Sequence, residues 1–305
     1  MSGAEQELRT RAGFVALVGA PNAGKSTLLN QLVGTKVAIV TPKVQTTRTR
    51  VLGIVIEGAT QIVFVDTPGI FQPKRRLERA MVQAAWLGAD DADLVCVLVD
   101  ASRRSVAGET GMIVERLRAD DRKAVLILNK IDAVDRPRLL KLAEGLHESG
   151  VFGDVFMVSA LTGDGVGDLR RFLASALPES PWLFPEDQIS DMPMRLMAAE
   201  ITREKLFLHL HEELPYSIAV ETEAWEEQEN GSVRIAQVIY VERESQKGMV
   251  LGAGGRMIKR IGSEARRELM DILETTVHLS LFVKVRERWT DDPDRYRDWG
   301  LDFNV

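Results

Sequence analysis

Six short apolar runs, at residues 14–18, 51–56, 61–65, 94–99, 124–128 and 155–158, alternate with longer stretches of helical periodicity in the first half of the chain. Uninterrupted apolar runs of this length, bounded by turn residues, read as strands buried on both faces. The alternation therefore predicts an α/β domain with a mostly parallel six-stranded sheet between two helical layers, ending near Leu177. Ligands of such sheets bind at the carboxyl ends of the strands, so the residues that close each run are the ones to search for chemistry.

The pattern then changes. Pro178, Pro181 and Pro185 punctuate a stretch in which Trp182, Leu183 and Phe184 are too apolar for a solvated linker, and these are expected to pin two domains together. A helix is predicted over about 195–214, with Phe207, Leu210 and Leu214 on one face. Tyr216, Ile218, Val220 and Thr222 alternate as a strand, and an acidic loop at 225–229 ends in Asn230-Gly231 before a second strand at 233–241, whose alternation slips near Ala236. An apolar and glycine-rich stretch at 250–259 follows. A break is expected at Gly262-Ser263, with Ser263 as N-cap of a helix to about Leu273. Leu279, Leu281, Val283 and Val285 mark a last strand, giving an α+β order of helix, strand, strand, helix, helix, strand. The expected boundaries are a flexible tail at 1–12, a first domain at 13–178, a linker at 179–194, a second domain at 195–290 and a tail at 291–305.

Composition narrows the class. With 305 residues, 45 % hydrophobic and 28 % charged, the chain can bury two cores. No apolar run approaches the roughly 20 residues of a membrane span, and the polar start carries no signal-peptide core, so a cytoplasmic protein is expected. The single cysteine, Cys96, lies inside an apolar run and reads as a core residue. His209 and His211 lie two apart on a predicted helix and point different ways, which is no zinc spacing.

Chemistry enters at Gly19-Ala20-Pro21-Asn22-Ala23-Gly24-Lys25-Ser26, a GxxxxGKS loop between the first strand and the helix that opens at Thr27. Its glycines let backbone N–H groups turn onto phosphate oxygens at a helix N-terminus, Lys25 reaches the β- and γ-phosphates, and Ser26 holds Mg²⁺. Asn129-Lys130-Ile131-Asp132 closes the fifth run. The Asp132 carboxylate can accept from both N1–H and the exocyclic amine of guanine, donors that adenine lacks on that edge, so the nucleotide expected is GTP. Asn129 would brace the phosphate loop and Lys130 pack over the purine, while Ser159-Ala160-Leu161 adds the Ala160 N–H as a third base contact. Asp66-Thr67-Pro68-Gly69 closes the third run. Asp66 would bind Mg²⁺ through water and the Gly69 N–H meet the γ-phosphate; of the threonines in Gln45-Thr46-Thr47-Arg48, Thr47 is favoured over Thr46 to complete the metal shell.

These boxes, in this order, resemble those of the translation-factor-related GTPases, and GxPNxGKSTLLN with QTTR and DTPG is similar to the Era family. The resemblance runs through the second half, whose order with Gly252-Ala253-Gly254-Gly255 looks like a bacterial-type (type II) KH domain. In KH modules a GxxG loop clamps the backbone of unpaired nucleotides. Here neither middle residue is basic, and Arg256 next door can supply the charge. The chain carries a formal −6, yet six bases, Lys247, Arg256, Lys259, Arg260, Arg266 and Arg267, face one acid, Glu264, between 247 and 267. A solvated helix face or a capping glycine turn would read similarly; together the two signals favour an RNA groove.

The resemblance implies single-stranded RNA near the 3′ end of small-subunit ribosomal RNA as partner and a role in assembling the small ribosomal subunit. DNA is not expected, a monomer is, and contact with the inner face of the cell membrane stays open. Ile70 follows the DTPG box where signalling GTPases place a water-orienting glutamine, so slow turnover is expected, ~10⁻⁴ to 10⁻² per second. In similar GTPases an asparagine at the position of Asn22 coordinates K⁺, so the groups assigned to catalysis are Lys25, Thr47, Gly69 and Asn22. The competing readings are an RNA-binding assembly protein with nucleotide as a structural ligand and a tRNA-modification GTPase, for which a G domain inserted in a helical domain and a terminal cysteine would be expected, neither of which is read here.

Overall fold

The computed structural model describes residues 10–44, 46–105, 107–210, 214–287, 289 and 292–305. They group into two compact units: one comprises the chain up to Ala38, Thr47–Asp191 and Trp299–Val305, the other Ile39–Thr46 and Met192–Asp298.

The first unit runs β1 (Arg11–Gly19), α1 (Lys25–Val33), β2 (Val51–Glu57), β3 (Thr60–Asp66), α2 (Arg76–Asp90), β4 (Leu94–Asp100), α3 (Ala107–Ala119), β5 (Ala124–Asn129), α4 (Arg136–His147), β6 (Phe152–Val158) and α5 (Val166–Ala176). Its sheet has the order β2-β3-β1-β4-β5-β6. All neighbours are parallel except β2, which the tight Gly58 turn returns antiparallel to β3. The central strands are buried along their length, as continuous Val/Ile/Leu runs require when helices cover both faces. Cys96 sits at the centre of β4, and burial pushes its thiol up to about 12, a core side chain rather than a nucleophile.

Two expected boundaries shift. β1 takes in Arg11 and Ala12 of the expected tail, whose residues 1–9 lie outside the described residues. The expected linker, as far as Asp191, lies along the first unit: Gln61 accepts the N–H groups of Leu183 and Phe184 at 2.8 and 2.9 Å, Ile54 N–H donates to Ile189 O at 2.9 Å, and Trp182 Nε1 donates to Ala59 O. The apolar residues of this stretch cover the edge of the sheet, with Phe184 packed on Leu52 and Ile54.

The second unit runs α6 (Met194–His209), β7 (Ala219–Glu227), β8 (Val233–Val241), α7 (Glu244–Leu251), α8 (Arg256–Leu273), β9 (Val277–Val285) and α9 (Pro293–Asp298). β8 is antiparallel to β7 and parallel to β9. α6 ends before Leu210, short of the expected Leu214, and Tyr216 stands in a helical turn rather than in the strand. β7 in turn absorbs Trp225 to Glu227 of the expected acidic loop. The slip sensed near Ala236 is real but lies across the ladder, between Thr222 and Ala224 of β7.

The expected break at Gly262-Ser263 is absent. α8 runs straight through, because a Cβ at Gly262 would lie 3.3 Å from Leu281 Cδ1: the glycine serves close packing on β9, not termination. Part of the expected tail is folded too: α9 buries Tyr296 and sets the Arg295 guanidinium 4.4 Å from the Tyr240 ring centre. His209 Nε2 lies 2.6 Å from Glu264 Oε2; His211 is outside the described residues. Residues 39–46 are tied to α6 within this unit by Val40 N–H donating to Glu204 Oε1 at 2.8 Å and by the Lys43 ammonium on Leu210 O.

Candidate functional site

The phosphate loop joins β1 to α1 at the carboxyl edge of the sheet. Gly24 caps α1 at φ 99°, where a Cβ would fall 2.2 Å from Asn129 Nδ2, and a Cβ on Gly69 would lie 2.9 Å from Pro21 Cα. The loop is closed by backbone approaches that only glycine allows. No side chain caps α1 and no acid occupies its first turn, so its N–H groups remain available to an anion, and Thr27 sits in that turn.

Lys25 is 6 % exposed and its Nζ donates to Gly19 O at 3.1 Å and Ala20 O at 3.2 Å. Burial lowers its pKa to about 8; the Asp66 carboxylate opposes the shift and the charge of Arg103 adds to it. Phosphate brought beside this amine favours its charged form. Nucleotide binding at about pH 8.5 without divalent metal should therefore take up a proton, read by calorimetry in buffers of different ionisation heat. Lys25→Met should abolish the uptake; equal observed heats in all buffers would mean that the amine is already fully charged.

Asp66 Oδ2 accepts from Ser26 Oγ at 2.7 Å and Thr47 Oγ1 at 3.3 Å, and the two hydroxyl oxygens lie 2.9 Å apart. Burial raises the Asp66 carboxyl, tempered by Lys25 and these hydroxyls, and its Oδ1 is buried with no hydrogen-bond partner among the described residues. Two hydroxyl oxygens gathered on one oxygen of a carboxylate whose other oxygen is unmatched are hard donors of the kind Mg²⁺ takes. Thr46 Oγ1 is bonded within its own segment, to Thr41 Oγ1 at 2.6 Å and Lys43 O at 2.8 Å; Gln45 lies outside the described residues. Ile70 is buried in the core, with its N–H on Gly19 O at 3.0 Å.

At the end of β5 the Asn129 carboxamide joins three boxes. Its Nδ2 donates to Ala23 O at 2.8 Å, and its Oδ1 accepts from Lys130 N–H at 2.8 Å and Ala160 N–H at 2.9 Å. Asp132 is exposed and accepts from Ser159 Oγ at 2.5 Å; Leu161 is also exposed. Lys130 adopts φ 67° and its ammonium lies 2.7 Å from Asp100 Oδ2. Asp100 and Arg103, whose guanidinium donates to Pro21 O at 2.7 Å, were not singled out from the sequence. The signal was there: Asp100 closes the fourth apolar run.

In the second unit Gly252-Ala253-Gly254-Gly255 separates α7 from α8. A Cβ on Gly252 would meet Met257 Cβ at 2.7 Å, whereas one on Gly254 or Gly255 would meet nothing within 4 Å. Those two glycines, at φ 60° and 74°, leave open space over the uncapped N-terminus of α8. Arg256, Lys259 and Arg260 are exposed there; Lys247 is half-buried on α7, and Arg260 is shared with Glu264 at 3.0 Å.

Comparison with known proteins assigns a family to a segment of each unit. Residues 14–130 match the family described as 50S ribosome-binding GTPase, and residues 213–290 match the KH domain family. The chain is 62 % identical to GTPase Era of Brucella suis over 99 % of its length and 96 % of that protein. It is 61 % identical to GTPase Era of Rhizobium meliloti, covering 96 % of this chain and 94 % of the other. Two solved structures superpose with a TM-score of 0.89 at 38 % identity, over 97 % of this chain and 100 % of theirs. One is Era with MgGDPNP and nucleotides 1506–1542 of 16S ribosomal RNA, the other an Aquifex aeolicus Era variant bound to GDP and AlF4⁻. With a phosphate loop, a guanine box and a GxxG loop on a full-length match of this identity, the chain belongs to the GTPase Era family.

Proposed function

We propose that this GTPase reads single-stranded RNA at the 3′ end of small-subunit ribosomal RNA and acts in assembly of the small subunit in the cytoplasm. The observation that carries the reading is the glycine loop: two glycines with free space above them, at the bare N-terminus of an 18-residue helix, flanked by exposed bases. That arrangement suits phosphates approaching the backbone closely. Crosslinking to total cellular RNA tests it. Sites should concentrate near the 3′ end of small-subunit ribosomal RNA, and sites confined to large-subunit RNA would overturn the assignment.

At the first site water adds to the γ-phosphorus, the bond to the β,γ-bridging oxygen breaks, and GDP leaves with that electron pair. Lys25 and the loop N–H groups bear the charge of the transferring group. Ser26, Thr47 and Asp66 would hold Mg²⁺, which neutralises phosphate charge when bound. Gly69 carries the N–H that senses the γ-phosphate, and Asn129, Lys130, Asp132 and Ala160 hold the base. The Ala160 N–H, which here donates to Asn129 Oδ1, is the group that would meet guanine O6.

Ile70, buried among core side chains, cannot orient water. Asn22, held at φ 62° in the loop, is the residue that would place K⁺ beside the phosphates. K⁺ should therefore accelerate hydrolysis several-fold over Na⁺ at equal ionic strength, and Asn22→Ala should erase the difference while GTP still binds. Equal rates in the two salts would leave Asn22 as a loop brace.

A further inference from the structure

We propose that Arg103 is a positioning residue for GTP hydrolysis, holding the Pro21–Asn22 peptide of the phosphate loop from outside and joining it through Asp100 to the lysine of the guanine box. The Arg103 Nη2 donates to Pro21 O at 2.7 Å. The described chain contains no cis peptide, so the Asn22 N–H is directed opposite to the carbonyl that Arg103 holds. Pro21 is limited from a second direction by Gly69, which leaves no room for a Cβ against it. A tether on the carbonyl thus fixes the direction of the N–H four residues into the loop.

The guanidinium is itself held. Asp100 Oδ2 lies 3.9 Å from Arg103 Nε and 2.7 Å from Lys130 Nζ, while Asp100 Oδ1 accepts from Ser102 N–H at 3.0 Å and Ser102 Oγ at 2.5 Å. Glu109 Oε2 stands 3.7 Å from Nη1. Asp100 is 7 % exposed; burial pushes its carboxyl up, and the hydrogen bonds from Lys130 and Ser102 outweigh that and leave it charged. A buried carboxylate shared between two cations makes the end of β4 a rigid bracket between the phosphate and base boxes.

A loop N–H that meets the bond being broken gains strength as charge accumulates on the leaving oxygen, whereas ground-state affinity is spread over the whole nucleotide. Loosening the Pro21–Asn22 peptide should therefore act on turnover more than on binding. Arg103→Ala is expected to lower kcat by about ten-fold or more, with affinities for GDP and a non-hydrolysable GTP analogue changed by less than about three-fold. Millimolar guanidinium should restore part of the loss, and Arg103→Lys should retain more activity than Arg103→Gln. Asp100→Asn added to Arg103→Ala should cost little beyond the single change.

A kcat within about two-fold of the parent, equal losses in kcat and affinity, or failure of both guanidinium and lysine to restore activity would overturn the proposal. Full additivity would remove Asp100 from it. Should Arg103→Ala not fold, the Lys and Gln variants read the same split. The inference rests on the phosphate-loop assignment: a parent protein without turnover would fail that assignment, and a fully active Arg103→Ala variant fails only the inference.

Discussion

Asp132→Asn is expected to weaken GTP binding by roughly 3 kcal/mol, more than a hundredfold, and to admit xanthosine triphosphate in its place. The carboxylate is exposed at the turn after β5, where one oxygen accepts from Ser159 Oγ and lone pairs remain for a ligand. Guanine presents two donors to it. An asparagine there turns one acceptor into an NH₂ group, which opposes the guanine amine and leaves a desolvated donor without a partner. Xanthine carries an oxygen at that carbon and matches the amide. Because Asp132 supports no element of the core, the melting temperature should hold within a few degrees. Fluorescent-nucleotide titration with both triphosphates checks the exchange, and unchanged GTP affinity would remove Asp132 from the base site.

The first unit was legible because its central strands are buried on both faces: uninterrupted apolar runs admit few other readings, and the DTPG and NKID boxes close such runs. Thr47 over Thr46 was legible only in part, and geometry separates them by placing one on Asp66 and the other on Thr41 and Lys43. Misreadings collect where tertiary packing overrides a local signal. Gly262 reads as a helix breaker until Leu281 is seen against it. Trp225 reads as loop because the β7 bulge breaks its alternation. Grouping of 39–46 with the second unit depends on contacts more than 160 residues apart, such as Val40 with Glu204, which no local pattern encodes. Arg103 was missed for another reason: it acts on a backbone carbonyl, and carbonyls leave no trace in a sequence.

Replacing Ala253 and Gly254 by aspartates should abolish single-stranded RNA binding while basal GTP hydrolysis survives. Both positions are exposed, and a Cβ at Gly254 would meet no atom within 4 Å, so the new side chains enter the volume assigned to the RNA backbone rather than the protein core. Two negative charges there oppose the phosphates and cancel much of the local excess from Arg256, Lys259 and Arg260. Gly254 sits at φ 60°, which aspartate tolerates better than most side chains, so the cost to folding should be on the order of 1 kcal/mol. A neutral comparison, Gly254→Asn, carries the same backbone strain without the charge and should retain weakened binding. Affinity for a 3′-terminal small-subunit RNA oligonucleotide, measured at two salt concentrations, separates the contributions: losing phosphate contacts flattens the salt dependence as well as lowering affinity. Retained affinity in the folded double variant would move the RNA site away from the glycine loop. Loss of hydrolysis in the same variant would show instead that the substitutions disturb more than the clamp.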